Sequence, residues 1–599
     1  MPTQGITFDG QYIGLPGVYY ADSVSSSVQP PPPVTPPLLF IGYGWGPQPK
    51  TVTTFTNPQN LINALRGSPA AAFVPFMATP SPQLNGAAQI TFIDASQNTQ
   101  SAAALLTSGG TTMTTLTSVL YGPPSNQLSV LVQNGTFYGR KVTLSDGYSQ
   151  TAVVGDNLTV PFVMAYSGAA GSALTYSVVT GAVTNTFSVT SPVAGESLAI
   201  PIGAGAYSTV TLLVEYLNGT SNYYAQLMSS SQGQLPSASL SAVTGTLPLP
   251  TAGVLNYVPI NAHLQDIAFW VNQFAGTLAS ATAATGLATV AGNLPVTGSA
   301  LFFSGARGVP PINSDYATAL NIGLSTPAWT VFCDSNSLAV QALLAQHCEM
   351  AGQPPNSAWR RGFTGSSIGD SIAATETSSQ NLNAYQMTYA YPGIWRINTV
   401  TGLPQLYGGL YTAACAAAMA TGNQIALPLT NKTINATGVE QVNAGTELTT
   451  SQVIALQNAG VMVVYTPNGS STPTIVSDVT CWQSDNNAAN TSSQQVACRF
   501  WLAYSMIAAL QPYVGTIASP VNEIIILNAA KRTLNSLIYT GGSSSGVLAS
   551  WVNSSLQLIF TGSNQLAAVS FSATLVSQNR FITEYASIQP LSFTISVAT

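Results

Sequence analysis

The sequence predicts a mixed α/β core interrupted by an all-β insertion and followed by an α+β C-terminal domain, with an extended arm at each chain end. Strand-like and helix-like segments alternate through residues 256–480, whereas short strands separated by turn residues fill 125–255. Both chain ends are strand-like and lack an adjoining element that covers them. With 599 residues, the chain also exceeds what one hydrophobic core usually supports. We therefore expect several domains.

Residues 1–35 are predicted to form a projecting N-terminal arm. Their strand-like pieces, over 6–13 and 18–20, are followed by no helix or turn against which they would pack locally. Six prolines within 30–37 favour extended polyproline geometry, which acts as a semi-rigid spacer. The segment is therefore predicted to be an extended arm joined to the core by a semi-rigid proline-rich linker.

The first part of the core is predicted at 36–124. It opens with the apolar strand segment LLFIGYGWG, and a short helix follows over 57–67, with Gly67 as its stop. The insertion at 125–255 is predicted to consist of strands in the segments LSVLVQN, RKVTLSD, LTVPFVMAY, ALTYSVVT, TFSVTS and TVTLLVEYL. Glycan binding at an outward surface and a spacer role both stay open for it.

The second part of the core is predicted at 256–480. Helical spacing returns over 260–275, and strand and helix then alternate. A strand at 328–334 precedes a helix at 337–352, and a helix at 450–460 leads directly into an apolar strand. This alternation indicates an α/β sheet covered by helices.

The C-terminal domain is predicted at 481–585. It contains an amphipathic helix at 493–514 and a second helix near 520–539, followed by the strand segments LQLIF and AAVSFSATL. Residues 586–599 alternate between apolar and polar side chains and form a second, strand-like arm.

The composition favours a subunit of an assembly. Charged residues make up 5% of the chain, and the net charge is −6, whereas about a quarter of an average domain is charged. Ser, Thr, Asn and Gln solvate a surface without the charge repulsion that keeps monomers apart. The cations are scattered, so no nucleic acid partner is predicted. The sequence predicts no membrane insertion and no signal peptide either.

Two uncovered strands at opposite chain ends have one common explanation. An extended segment with free N–H and C=O groups can pair with the open edge of a sheet in a neighbouring subunit. The residues predicted to exchange between subunits in this way are Val18, Tyr19, Tyr20, Leu591, Phe593, Ile595 and Val597.

Rare charges raise two alternatives: ion pairs between subunits, or simple solvation of a surface. Exposed pairs contribute only about 0–1 kcal/mol each. The residues considered for contacts between subunits are Arg360, Arg361, Arg499, Lys531, Arg532 and Glu584.

The five cysteines, Cys333, Cys348, Cys415, Cys481 and Cys498, lie far apart, and no CxxC motif occurs. A structural zinc site and a dense disulfide framework are therefore not expected, and we predict no cofactor. Most of these residues are interpreted as small buried hydrophobes, while a bond between Cys481 and Cys498 stays open.

The segment GSSIG at 365–369 matches the G-x-S-x-G pattern of a nucleophile elbow, but both histidines of the chain precede it. A subtilisin-like order is formally available through Asp315 or Asp334, His347 and Ser367. Because His347 lies in a helical stretch, a structural role is favoured, and no enzymatic activity is predicted.

Three glycines, Gly42, Gly44 and Gly46, follow the first apolar strand. A nucleotide-binding loop would need a third glycine spacing and a phosphate-binding lysine, and both are lacking here. The glycines are therefore interpreted as a tight turn.

Several segments, in this order, resemble the tail sheath proteins of contractile bacteriophage tails, especially those of Mu-like phages. The segments are PGVYYADS (16–23), LLFIGYGWGPQPKTVTTFTNPQNLINALRG, GSSIGDSIA (365–373), AYQMTYAYPGIWR (384–396), YGGLYTAACAAAMA (407–420), LTTSQVIALQNAGVMVV and VSDVTCWQSD (476–485). The resemblance covers most of the chain outside the insertion.

The resemblance implies a subtilisin-like core without activity, and a homo-oligomer of hexameric rings stacked helically around a tail tube protein. It also implies baseplate and tail terminator partners, assembly in the bacterial cytoplasm and a final place in the virion tail. Contraction would drive the tube through the host envelope, while N- and C-terminal arms complete a β-sheet in a neighbour's C-terminal domain. One departure is the stretch between Asp22 and Lys50, which holds Ser and Pro where relatives often carry charge.

Two other classes of protein are alternatives to a sheath subunit. A secreted or surface-displayed β-rich adhesin would suit the low charge, but it should carry a secretion signal and no α/β middle section. A hydrolase would need a usable histidine, and the chain has only two.

Overall fold

A computed structural model describes the strand segments 6–8 and 11–13 and residues 37–578, apart from 170, 181–184, 204, 264, 285–293, 354–355, 400, 444, 468–471, 517–518, 541–545 and 562–565. No helix within these residues is long and apolar enough to cross a membrane.

The β-strands of the described residues, in chain order, are β1 (Ile6–Phe8), β2 (Gln11–Ile13), β3 (Leu38–Gly42), β4 (Val52–Phe55), β5 (Ile90–Asp94), β6 (Gln100–Leu106), β7 (Thr112–Tyr121), β8 (Leu128–Asn134), β9 (Arg140–Asp146), β10 (Thr151–Leu158), β11 (Phe162–Tyr166), β12 (Leu174–Val179), β13 (Thr186–Thr190), β14 (Leu198–Pro201), β15 (Tyr223–Leu227), β16 (Val243–Leu247), β17 (Val258–Ile260), β18 (Ala279–Ala283), β19 (Leu301–Phe302), β20 (Thr330–Cys333), β21 (Arg361–Gly365), β22 (Met387–Tyr391), β23 (Ile394–Ile397), β24 (Pro404–Tyr407), β25 (Gly438–Val439), β26 (Val461–Tyr465), β27 (Thr474–Ile475), β28 (Leu548–Thr561) and β29 (Leu566–Leu575).

The α-helices are α1 (Pro58–Leu65), α2 (Val74–Ala78), α3 (Val210–Gly219), α4 (Gln265–Phe274), α5 (Asn313–Gly323), α6 (Leu338–Gly352), α7 (Ile372–Leu382), α8 (Gly409–Gly422), α9 (Thr450–Asn458), α10 (Ala488–Thr491), α11 (Ser493–Leu510) and α12 (Pro520–Ser536). Short 3-10 helices lie at Pro69–Phe73, Pro123–Gln127, Gly205–Tyr207, Ser230–Gln234, Ser237–Ser239 and Gln511–Tyr513.

The core is built on an eight-stranded sheet in the order β27-β26-β22-β21-β20-β3-β5-β4. The six inner strands pair in parallel, and the two edge strands, β27 and β4, are antiparallel to their neighbours. Parallel pairing requires crossover connections, which helices supply here. The mixed α/β class predicted for the core is thereby confirmed.

Helices cover both faces of this sheet. Along β3, the buried side chains of Leu38 and Phe40 join the cluster that contains α8, while Leu39 and Ile41 join the opposite cluster with α5, α6 and α9. This alternation follows from the two-residue repeat of a strand whose two faces are both covered. Alanine-rich α8 is almost entirely buried, so it packs closely on the sheet.

The insertion consists of two lobes. In the first lobe, β6, β7 and β18 form one sheet, β8, β9, β10 and β19 form another, and α4 packs between them. In the second lobe, the sheets β15-β11-β17 and β14-β13-β12-β16 enclose a core with α3. Since β6, β18 and β19 belong to these sheets, strand pairing extends beyond the predicted boundaries of 125 and 255 in both directions.

One predicted strand of the insertion is a helix. The segment TVTLLVEYL forms α3, where Thr209 caps the N-terminus by accepting a hydrogen bond from the Leu212 N–H. Its buried residues, Val210, Leu213, Val214 and Leu217, recur at helical spacing. The strand prediction for this segment was therefore wrong, and residues 125–255 are not all β, whereas α4 agrees with the helix predicted over 260–275.

The N-terminal segment differs from its prediction at strands β1 and β2. Strands β1 and β2 pair with each other as an antiparallel hairpin, with Ile6 opposite Ile13. The expectation that these residues have no local packing partner was wrong for this segment. The exchange residues Val18, Tyr19, Tyr20, Leu591, Phe593, Ile595 and Val597, and also Glu584, lie outside the described residues.

Candidate assembly surface of the C-terminal region

The C-terminal region packs firmly against the central core through α11. The ring of Trp501 lies edge-on to Trp329 with 6.0 Å between centroids, and Trp359 is likewise edge-on to Tyr504. The Tyr504 hydroxyl also donates a hydrogen bond to the Trp359 carbonyl at 3.3 Å. These buried aromatic contacts fix the position of α11 relative to the sheet.

Arg361 and Arg499 lie inside this contact. Arg361 donates to the Ala420 carbonyl at 3.2 Å and to Ser493 Oγ at 3.4 Å, and burial lowers its pKa to about 10. Arg499 donates to Asn490 Oδ1 at 2.7 Å and lies 4.3 Å from the centroid of the Tyr385 ring. Both guanidinium groups are thus used within the subunit.

Arg360 directly precedes β21 and is fully buried, with its guanidinium on the opposite side of this strand end from that of Arg361. Its Nη1 donates to the Gly323 carbonyl at 2.9 Å and to His347 Nε2 at 3.1 Å, and its Nη2 donates to the Thr326 carbonyl at 3.1 Å. Three of the six charges considered for contacts between subunits are therefore inside the chain. Among the described residues, Lys531 and Arg532 are the remaining charges predicted to make contacts between subunits.

A long antiparallel hairpin, β28 and β29, follows the helices. It is a two-stranded sheet, and in the described part of the chain neither long edge pairs with a further strand, apart from a single bridge between Ile538 and Leu548. Its register shifts between Val552 and Gln557, where the Ser555 hydroxyl accepts a hydrogen bond from the Ser572 N–H at 2.7 Å. Two-stranded sheets are marginally stable alone.

One face of the hairpin packs on the C-terminal helices and the other faces solvent. Along β29, Val569, Phe571 and Ala573 contact the cluster around α11, while the residues between them are exposed. Trp551 Nε1 anchors β28 by donating to Asn535 Oδ1 at 2.9 Å. The hairpin is therefore held on one face, and within the described residues neither of its two long edges is covered by a further strand.

The outer face of α12 is exposed and changes character along its length. Val521 and Ile524 are exposed near its start, and Lys531 and Arg532 lie near its end. Ile525 joins these two cations in lining a shallow groove. The helix and the hairpin together form the candidate assembly surface.

The residues of the formal triad do not come together. His347 is buried with its Nε2 accepting from Arg360, and burial and that charge lower its pKa to about 3. Ser367 Oγ accepts from Asn336 Nδ2 at 2.7 Å, and Asp315 accepts from Lys50 at 3.2 Å. Among the described residues, no hydrogen-bonded relay links serine, histidine and aspartate.

The glycine segment after β3 forms a tight turn whose amides are already bound. The Tyr43 N–H donates to Asp334 Oδ2 at 2.7 Å, and the Gly44 N–H donates to Asp94 Oδ1 at 3.1 Å. Gly46 has a positive φ of 99°, which glycine adopts readily. Protein carboxylates thus occupy the amides that a nucleotide phosphate would need.

All five cysteines are buried and free, so no disulfide joins Cys481 to Cys498. Burial raises the pKa of both thiols to about 12. No group of three or more His, Cys, Asp or Glu side chains within the described ranges is placed to hold a metal ion.

The described residues form a mixed α/β fold whose C-terminal hairpin has no further strand partner along its long edges within those residues. Comparison with known proteins shows what the chain is similar to. Over 444 residues the chain is 26% identical to the tail sheath protein of Bacillus phage SP01, covering 72% of this chain and 72% of that protein. The resemblance to tail sheath proteins is thereby confirmed, and homology supports a structural sheath role. No protein-family model matches the sequence.

Two sheath tail proteins of known structure are similar to the chain, and one of these matches supports the fold. The sheath tail protein of Listeria innocua has a TM-score of 0.52 at 10% identity, over 92% of this chain and 94% of that chain. The sheath tail protein of Desulfitobacterium hafniense has a TM-score of 0.48 at 9% identity, over 94% of this chain and 100% of that chain. At such identities, the Listeria match supports the fold alone.

Sequence reasoning missed two contacts: one that holds the C-terminal region against the core, and one that holds β28 against α12. The Trp329–Trp501 contact joins residues 172 positions apart (501 − 329), and neither residue stands out in the sequence. Asn535, which holds Trp551, also lacks any local signal. Lys531 and Arg532 were found because adjacent cations are rare in this chain.

Proposed function

We propose that the chain is the structural subunit of a contractile tail sheath, which forms stacked hexameric rings around a tail tube. The observation that carries the proposal is the β28–β29 hairpin, which is anchored on one face and has two long unpaired edges in the described part of the chain. Strands from neighbouring subunits would pair with these edges and link the rings.

The terminal arms are the proposed donors. Their apolar positions include Val18, Tyr19 and Tyr20 at one end and the alternating residues Leu591, Phe593, Ile595 and Val597 at the other. An added strand gains main-chain hydrogen bonds along its length, while its apolar side chains fill alternate positions. Each subunit would then be tied to its neighbours independently of side-chain charge, which suits a chain with 5% charged residues.

Contraction would require two packings of nearly rigid subunits, with the contracted packing lower in free energy. The extensive contact between α11 and the core supports rigidity, because Trp329, Trp359, Trp501 and Tyr504 are packed together across it. Strand exchange would preserve connectivity while weaker contacts between rings break and reform. The movement would drive the tube through the host envelope.

The proposed partners are other copies of this chain, a tail tube protein, and baseplate and tail terminator proteins. The subunit would assemble in the bacterial cytoplasm and end in the virion tail. The sheath of Bacillus phage SP01 supports this placement through its relation to the chain. A surface-displayed adhesin is the alternative, and the mixed α/β core does not favour it.

Electron microscopy of the purified protein tests the proposal. Long hollow tubes with sixfold symmetry are expected for a sheath, whereas isolated particles that bind glycans would favour the adhesin. Deleting residues 1–29 or 586–599 is expected to leave a folded monomer without tubes. Ordinary tubes from either deletion would refute strand exchange.

A matched pair of variants tests the face of the C-terminal arm. Phe593→Asp with Ile595→Asp places two charges on its apolar face and is expected to abolish tubes. Ser592→Asp with Thr594→Asp adds the same charge to the alternate face and is expected to retain them. Equal loss in both variants would point to charge repulsion and contradict pairing through the apolar face.

A further inference from the structure

Asp266 lies where the two lobes of the insertion meet. It is near the start of α4, whose Trp270 packs in the first lobe. Its Oδ2 accepts a hydrogen bond from the Thr159 N–H at 2.7 Å and another from Gln232 Nε2 at 2.6 Å. Thr159 is in the connection between β10 and β11, and Gln232 belongs to the 3-10 helix Ser230–Gln234. One carboxyl group therefore joins three separate segments.

This carboxyl group is buried without a cation. Asp266 is 0% exposed, and neither ion pair found among the described residues includes it. Its Oδ1, together with Gln232 Oε1 and Thr159 Oγ1, has no hydrogen-bond partner among those residues. An ionised carboxylate in such a place is unfavourable relative to the neutral acid.

The neighbouring titratable groups do not compensate the charge. His263, three residues earlier, is buried, and burial and the charge of Arg140 on β9 lower its pKa. Asp156 on β10 is bonded to Thr136. Burial raises the pKa of Asp266 to about 6, although the hydrogen bonds from Gln232 and Thr159 act in the opposite direction.

We propose that Asp266 is an acid-sensitive latch, which takes up a proton in mildly acidic solution and then holds the two lobes together more firmly than in neutral solution. The neutral acid keeps one oxygen as an acceptor for Thr159 and Gln232. Its O–H adds a donor to a region where two oxygens, Gln232 Oε1 and Thr159 Oγ1, have no partner. The pH of the surroundings thus sets how easily the insertion opens.

The direction of the pH dependence follows from the linkage between proton binding and stability. Because the pKa is raised in the folded state, the favourable contribution is present in acid and is lost as the pH rises through about 6. The opening equilibrium between the lobes should therefore change about tenfold between pH 8 and pH 5. Acid tightens this contact.

Hydrogen–deuterium exchange of the full-length protein tests the latch. Protection of the amides of α4, corrected for intrinsic exchange, is expected to be about tenfold higher at pH 5 than at pH 8. Asp266→Asn should remove that difference, because its amide does not titrate in this range. Equal protection of the wild-type protein at both pH values would overturn the proposal.

Asp156→Asn is the matched control. It makes the same carboxylate-to-amide change in the first lobe, at a group that accepts from Thr136 and the Asn157 N–H and makes no direct bond to Thr159, Gln232 or Asp266. It should keep the wild-type pH dependence in α4. The proposal is also overturned if Asp266→Asn retains that dependence, since another group would then be responsible.

Discussion

Replacing Arg66 by methionine is expected to destabilise the contact between the core and the insertion by about 3–5 kcal/mol. Arg66 follows α1 in the core and binds Asp146 of β9 through two contacts, at 2.9 Å and 2.7 Å. The Asp146 side chain is fully buried, and its other bonds come from the Tyr148 N–H and the Ser149 hydroxyl. Methionine fills similar space but leaves the carboxylate without a cation.

The magnitude depends on that uncompensated charge. The double variant Arg66→Met with Asp146→Asn should therefore recover part of the loss and remain within about 1–2 kcal/mol of the wild-type protein. Burial raises the pKa of Asp146, but the bonds from Arg66 and Ser149 outweigh it, so the net pKa is lowered. The contribution is thus present above pH 4 and lost as the pH falls further.

Urea denaturation at pH 7, followed by hydrogen exchange in β9, measures the effect. Arg532→Met on the exposed face of α12 serves as the control and should change stability by less than about 0.5 kcal/mol. A loss under 1 kcal/mol in Arg66→Met, or a double variant as unstable as the single one, would refute the reasoning.

Three further predictions concern other parts of the chain. Burial raises the pKa of Asp94 and Asp334 to about 6. The free energy of unfolding should therefore fall as the pH rises from 4 to 7, by about 3 kcal/mol for one such carboxyl. A pH series of urea denaturation checks this, and Asp334→Asn should weaken the dependence of stability on pH. Gly365→Ala should destabilise by more than about 3 kcal/mol in thermal unfolding, since its Cβ would lie 2.3 Å from a carbonyl oxygen in α8; a stable variant would contradict that contact. Lys531→Glu with Arg532→Glu should leave the monomer stable but reduce tube formation in micrographs, and normal tubes would exclude these cations from assembly.

Regular elements with strong local signals could be predicted from the sequence. The segment around LLFIG forms β3, and the helix expected at 337–352 is α6. LLFIG is an unbroken apolar run, whereas the buried apolar residues of α6 recur at helical spacing. The strand prediction for TVTLLVEYL was wrong because four of its nine residues are the β-branched Val or Thr, although its buried residues recur at helical spacing.

Features that depend on distant partners could not be predicted. Strand β18 pairs with β7 across more than 150 residues, and its sequence ASATA has little strand character. The burial of Arg360 was also missed, because most of its partners are backbone carbonyls, which leave no mark in a sequence, and His347 is its one side-chain partner among the bonds described above. Most helices and strands of the candidate surface were predicted from the sequence, but the contacts that hold this surface against the core were not.

The five buried cysteines have a chemical consequence for the behaviour of the protein under oxidising conditions. Thiolates, rather than thiols, react with oxidants and with disulfides. Burial raises the pKa of Cys348 and Cys415 to about 12, and it also raises that of Cys333. The native protein is therefore expected to resist oxidative cross-linking through these thiols, so contacts between copies would stay non-covalent under oxidising conditions.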